Sequence, residues 1–209
     1  MEFPPRFFVT GTDTAVGKTT ICAILMAGLS ATYWKPVQSG LEELTDTEWI
    51  RRATGLPDAN FVPETYRLRH PLSPHAAAAL DGVHIELERF NLPIPPPSTH
   101  LIVEGAGGIM VPLNAEHTML DLIKYLCLPV LLVARSTLGT INHTLLSLEQ
   151  LQRHQVEVLG VVMNGPQNTA NRNAIQHYGK VPVLAEVGPL PPPDQCDLCS
   201  IFKCCFGGT

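Results

Sequence analysis

The sequence predicts an α/β fold, a mainly parallel β-sheet flanked by helices, on three observations. Short β-branched runs alternate along the chain with segments of helical periodicity. Several of those runs are apolar throughout rather than alternating, as needed where helices cover both faces of a parallel sheet. The first run opens into VTGTDTAVGKTT (9–20), a strand, a glycine-containing loop and a helix start, which makes the fold P-loop NTPase-like.

In order, RFFVTG (6–11) reads as a strand and 17–30 as a helix carrying the apolar spacing of TTICAILMAGL. ATYWKPV (31–37) reads as a strand, and 45–54 as a helix. LSPHAAAAL (72–80) places Ser73 as N-cap and Pro74 at the first helical position. HLIVEG (100–105), PVLLVA (129–134), VLGVVMN (158–164) and VPVLAEV (181–187) read as strands, with helices at 118–127, 139–154 and 169–178 between them. The proline-rich pieces 91–99 and 190–194 are connectors, because proline cannot donate to a ladder. No internal repeat or domain-scale shift in composition breaks the chain, so 1–209 reads as a single domain with 191–209 as a Pro/Cys-containing tail.

Composition narrows the function classes. The 209 residues are 45% hydrophobic and 16% charged, globular rather than disordered. A net charge of −5 argues against a nucleic-acid or anionic-membrane partner. No signal-like opening and no membrane-spanning apolar run occurs, so a cytoplasmic location is expected. Cys22 and Cys127 fall in apolar helical patterns and read as core. Cys196, Cys199, Cys204 and Cys205 lack a second pair at zinc-site spacing and read as part of a loosely ordered tail.

The loop carries the chemistry. The usual pattern G-x-x-x-x-G-K-[ST] is stretched by one residue, with Gly11 before Gly17 and Thr12 at the customary glycine. Amides at a helix start converge on one point, where the helix dipole adds positive potential. Lys18 adds a full charge that repels the dipole unless an anion lies between them. Thr19 adds a hydroxyl for Mg²⁺.

Ligands in open α/β sheets gather beyond the carboxyl ends of the strands. Glu104 stands at the tip of HLIVE, before Gly105, Ala106 and Gly107, where it completes a Mg²⁺ shell or is an exposed strand-end acid. Pro36 forces Lys35 extended, so the chain leaves the sheet there and Lys35 either projects into the crevice with Lys18 or is a solvated surface charge. Ser39 is a turn former beside Gly40 or a substrate contact, and Asp46 is a helix-start acid or a metal ligand; spacing decides neither. Gly139 and Thr140 begin a helix whose first amides suit a carboxylate, with Asn142 in its first turn, or they merely cap it. Asn164, before Gly165, ends another strand, where its amide can meet a nucleobase.

GTDTAVGKT, KPVQSG, LSPHAA, VEGAGG, LGTINHTLL and VVMNG, in this order, resemble the dethiobiotin synthetase family over about residues 6–190. The resemblance implies a homodimeric enzyme using Mg²⁺, ATP, CO₂ or bicarbonate, and 7,8-diaminononanoate. It implies that Lys18 and Lys35 stabilise phosphoryl and carbamate oxygens, and that Thr19, Asp46 and Glu104 hold Mg²⁺. It implies a nucleotide site of Ala15, Val16, Gly17, Lys18, Thr19 and Thr20, with Asp46, Glu104, Gly105, Ala106, Gly107, Asn164, Gly165, Gly188, Pro189 and Leu190. Ser39 would contact the diamine, and Gly139, Thr140 and Asn142 its carboxylate across a subunit interface. Ala15 departs from members with a polar or acidic residue there, so that contact to the substrate amine is missing. The rival is a partitioning or cell-division ATPase switch, whose loop begins with an additional lysine; Val9–Thr12 contain none.

Overall fold

The computed structural model describes residues 2–96, 99–190 and 197–207. Its strands are β1 (Arg6–Gly11), β2 (Thr32–Trp34), β3 (Val37–Ser39), β4 (Phe61–Val62), β5 (Tyr66–Leu68), β6 (Leu101–Gly108), β7 (Val130–Arg135), β8 (Val158–Asn164) and β9 (Val183–Val187). The helices are α1 (Lys18–Leu29), α2 (Asp46–Thr54), α3 (Pro74–Asp81), α4 (Met119–Leu126), α5 (Thr140–Arg153), α6 (Thr169–Gly179) and α7 (Leu198–Phe206). Seven strands form one sheet in the order β4-β2-β6-β1-β7-β8-β9, every ladder parallel.

β1 lies between β6 and β7 and is buried on both sides, as its continuous apolar run requires. Phe7 and Val9 face the core shared with α1 and α7, whereas Phe8 faces the opposite core with α3 and α4. The loop after β1 therefore emerges at the centre of the sheet's carboxyl edge, flanked by the ends of β6 and β7.

Four expectations need correction. The run 31–37 is not one strand: β2 stops at Trp34, and β3 leaves to pair with β5 in a separate two-stranded parallel sheet. Pro36 lacks the N–H to continue the ladder. Glu104 is not at a strand tip, because β6 runs on to Gly108. Glycines allow that close passage: a side chain at Gly105 would meet the Phe8 ring at 2.8 Å. Cys127 is exposed, being the left-handed C-cap of α4 (φ 52°), while Cys22 is buried as expected.

The fourth correction is α7, where a loose tail was expected. Leu198 and Phe206 enter the α1 core, and Phe206 packs edge-on against Phe3, which stacks on Phe7. Phe202 lies over Gly28, where a Cβ would come within 2.0 Å of its ring. The described cysteines of this helix, Cys199, Cys204 and Cys205, are free thiols; Cys196 lies outside the described residues.

Candidate active site

The loop between β1 and α1 ends at Gly17, whose φ of 96° only glycine adopts without strain, and a Cβ there would lie 2.0 Å from Asn164 Nδ2. Gly17 caps α1 without any side-chain hydrogen bond, so no side chain competes with an anion for the first amides of the helix. Asn164 Nδ2 donates to the Val16 carbonyl at 3.0 Å, holding the loop from the end of β8. Lys18 is 7% exposed and its Nζ donates to the Asp13 carbonyl at 3.1 Å. Burial pushes its ammonium below the ordinary lysine value of 10.5, and Lys35 adds to that against the pull of Glu104 and Asp46.

The structure brings Thr19, Lys35, Asp46 and Glu104 to one point. Thr19 Oγ1 lies 2.9 Å from Asp46 Oδ1 and 3.0 Å from Glu104 Oε1. Lys35 Nζ is 2.9 Å from Glu104 Oε1 and ion-pairs with Asp46 Oδ2. Tyr33 donates its hydroxyl to Glu104 Oε2 at 2.9 Å from below. Burial alone would lower the Lys35 pKa, but the charges on Glu104 and Asp46 outweigh it and drive it up. Asp46 is held down: burial raises its carboxyl, and Lys35 and the Thr19 hydroxyl overcome that. Cys22, beneath Glu104, is kept as a neutral thiol by burial and that carboxylate, so it is no nucleophile.

Thr19, Asp46 and Glu104 supply three hard oxygen donors around one hydroxyl proton, a donor set that fits Mg²⁺.

These groups line a cavity of about 830 Å³ that includes Ala15, Gly17, Lys18, Thr19, Thr20, Lys35, Ser39, Asp46, Glu104, Ala106 and Gly107. The Ser39 hydroxyl is buried with no hydrogen-bond partner among the described residues. Gly165 donates to the Val187 carbonyl at 2.8 Å, which sets Gly188 beside the end of β8; Val16, Gly105, Asn164, Gly165, Gly188, Pro189 and Leu190 do not line this cavity. Gly139, Thr140 and Asn142 do not line this cavity. Thr140 is 1% exposed and its hydroxyl donates to the Arg135 carbonyl, so its side chain fixes the start of α5.

Several contributors escape a sequence reading. Gln38 accepts the Asp46 amide at 3.3 Å and donates to the Ser39 carbonyl at 3.0 Å, bracing both site residues. Arg135 pairs with Asp13, whose Oδ1 accepts the Thr14 amide at 2.7 Å, stiffening the loop's outer limb. Neither carries a sequence signal: Arg135 meets Asp13 across 122 residues, and the Gln38 bonds depend on how the chain turns between β3 and α2. The start of α2 does carry one: Thr45 and Glu48 form a capping box, which leaves Asp46 at the first helical position with its carboxylate free for the site.

A parallel sheet with this central loop, followed by a lysine and by a threonine that meets two carboxylates, defines a P-loop NTPase. The fold is shared with the cell-division ATPase MinD of Pyrococcus furiosus at a TM-score of 0.54 and 14% identity over 95% of each chain, a likeness of fold alone. The family model described as AAA domain matches residues 5–195. The chain is 53% identical over 185 residues to the ATP-dependent dethiobiotin synthetase BioD of Paramagnetospirillum magneticum, covering 88% of each protein. It is 47% identical over 201 residues to the protein of the same name from Bradyrhizobium diazoefficiens, covering 96% of this chain and 95% of the relative. The chain belongs to the ATP-dependent dethiobiotin synthetase family.

Proposed function

We propose that this chain is a Mg²⁺-dependent, homodimeric dethiobiotin synthetase. It joins 7,8-diaminononanoate and CO₂ into the cyclic urea of dethiobiotin, converting ATP to ADP and phosphate, a step of biotin biosynthesis. The observation that carries the reading is one cavity holding Lys18, Lys35, Ser39, Thr19, Asp46 and Glu104 together.

In this reading one substrate amine takes up CO₂ as a carbamate, whose oxygen then attacks the γ-phosphorus with ADP leaving. The second amine attacks the carbonyl carbon of the mixed anhydride and expels phosphate. The carbamate, the γ-phosphate and the leaving ADP are all anionic, so fixed cations lower the barrier and no protein nucleophile is required. The amides of residues 15–20 bind the phosphates, and Lys18 leaves the Asp13 carbonyl to meet the transferring phosphoryl group. Lys35 binds carbamate oxygens from its buried seat. Ser39 offers its unpartnered hydroxyl to the diamine. Thr19, Asp46 and Glu104 would hold Mg²⁺, which when bound supplies charge neutralisation at the phosphates. Asn164, Gly165 and Gly188–Leu190 border the adenine side. Gly139, Thr140 and Asn142 do not line the chain's own cavity; in this reading they bind the substrate carboxylate in the site of a second copy. Among the described residues no helix is long and apolar enough to cross a membrane.

The purified protein is expected to turn over ATP only with diamine and bicarbonate both present, yielding a cyclic urea identified by mass. Equal ATP turnover without diamine would instead favour a nucleotide switch.

A further inference from the structure

We infer that Ser73 and His75 form a proton relay that carries protons from the substrate amines to solvent, an assignment that rests on the reaction proposed above. Ser73 stands at the N-cap of α3, where a serine ordinarily accepts an amide of the first turn. Here it makes no such bond. The His75 amide donates instead to the Pro112 carbonyl at 3.2 Å, and the Ala76 amide to the Ser73 backbone carbonyl at 3.0 Å. Relieved of capping, the Ser73 hydroxyl lies 3.0 Å from His75 Nδ1.

The placement of the two side chains gives the pair a direction. Ser73 is half-buried and lines the cavity with Lys18, Lys35 and Ser39, whereas His75 is exposed. A half-buried hydroxyl on the cavity wall and an exposed imidazole place a proton acceptor one hydrogen bond from the cavity. The chemistry needs such an acceptor. Both substrate amines are ammonium ions near neutral pH, and each must lose a proton before its lone pair can attack carbon. Lys18 and Lys35, both charged donors, are poor acceptors beside them.

In the step assigned to the relay, an ammonium N–H is cleaved and its electron pair stays on nitrogen. The proton passes to Ser73 Oγ as the serine proton passes to His75 Nδ1. The imidazolium then gives a proton to water. The freed lone pair forms the C–N bond as a C=O π bond of CO₂ opens, for the first amine, or as the C–O bond to phosphate breaks, for the second. The extra N–H proton left on that nitrogen departs by the same path, and no oxidant or reductant is consumed.

The test uses the full-length protein with ATP, Mg²⁺, bicarbonate and diamine. His75→Ala is expected to lower kcat about 100-fold, the low end of the usual range for a lost general base, with KM for ATP little changed. Added imidazole should restore part of that loss. His75→Gln, which keeps an acceptor for the Ser73 hydroxyl but takes up no proton, should stay as slow as His75→Ala. Ser73→Ala should be equally slow and insensitive to imidazole, and Ser73→Ala/His75→Ala no slower than either single variant. Wild-type turnover in His75→Gln would show a merely positioning role and overturn the relay. So would undiminished kcat in His75→Ala, or equal imidazole rescue in Ser73→Ala. Absence of cyclic urea from the wild-type protein would overturn the parent reaction instead.

Discussion

Replacing Lys35 by methionine removes the charge that pairs directly with both Glu104 and Asp46 while keeping most of the stem's volume. Lys35 is 4% exposed and Glu104 1%, and they meet at 2.9 Å, so the lost partner leaves an uncompensated buried carboxylate. Breaking such a pair typically costs about 3–5 kcal/mol. The hydroxyls of Thr19 and Tyr33 still reach Glu104, and Asp46 is 33% exposed, so the low end applies, about 3 kcal/mol. For a chain of this size that lowers Tm by about 6–12 °C. The sign of the pH dependence follows from the shifts. Lys35 is raised, so its contribution is complete below the ordinary lysine value of 10.5 and is lost as pH rises through the folded-state value. Asp46 is lowered, so its share is present above 3.8 and is lost as pH falls through the folded-state value. Melting near pH 7.5, between those limits, measures the full effect. Millimolar Mg²⁺ should recover more stability in Lys35→Met than in the wild type, because a divalent cation replaces the absent ammonium among the same oxygens. A variant that melts within 2 °C of wild type, or gains no more from Mg²⁺, would refute this account of the cluster.

Two further outcomes are expected. Lys18 has a lowered pKa in the free protein, and a bound polyphosphate raises it again, so between the two values nucleotide binding takes up a proton. ADP titrations at alkaline pH in buffers of different ionisation enthalpy should show that uptake, with affinity falling as pH rises, and Lys18→Ala should abolish it. Phe206→Ala empties the ring-on-ring contact with Phe3 and is expected to cost about 3–5 kcal/mol, read as a lower urea midpoint with unchanged slope.

The sequence by itself determined what depends on neighbours along the chain. Apolar runs without alternation gave the buried parallel strands, and the loop with Gly17, Lys18 and Thr19 was legible because its turn, amides and helix start are contiguous. Pro36 marked where the chain leaves the sheet, although not that Val37–Ser39 would pair with Tyr66–Leu68 in a second one. Asp46 and Ser39 stayed ambiguous in sequence for the same reason: a helix-start acid and a turn serine look alike whether or not something faces them. Only the strand order, with β6 beside β1 and β2 beside β6, carries Glu104 to Lys35 and to Thr19, across separations of 69 and 85 residues. The helix at Leu198–Phe206 was equally hidden, because its apolar stripe acquires meaning only against the bare backbone of Gly28. Local chemistry is written in adjacent residues, whereas convergence of charges is a property of how the sheet is assembled.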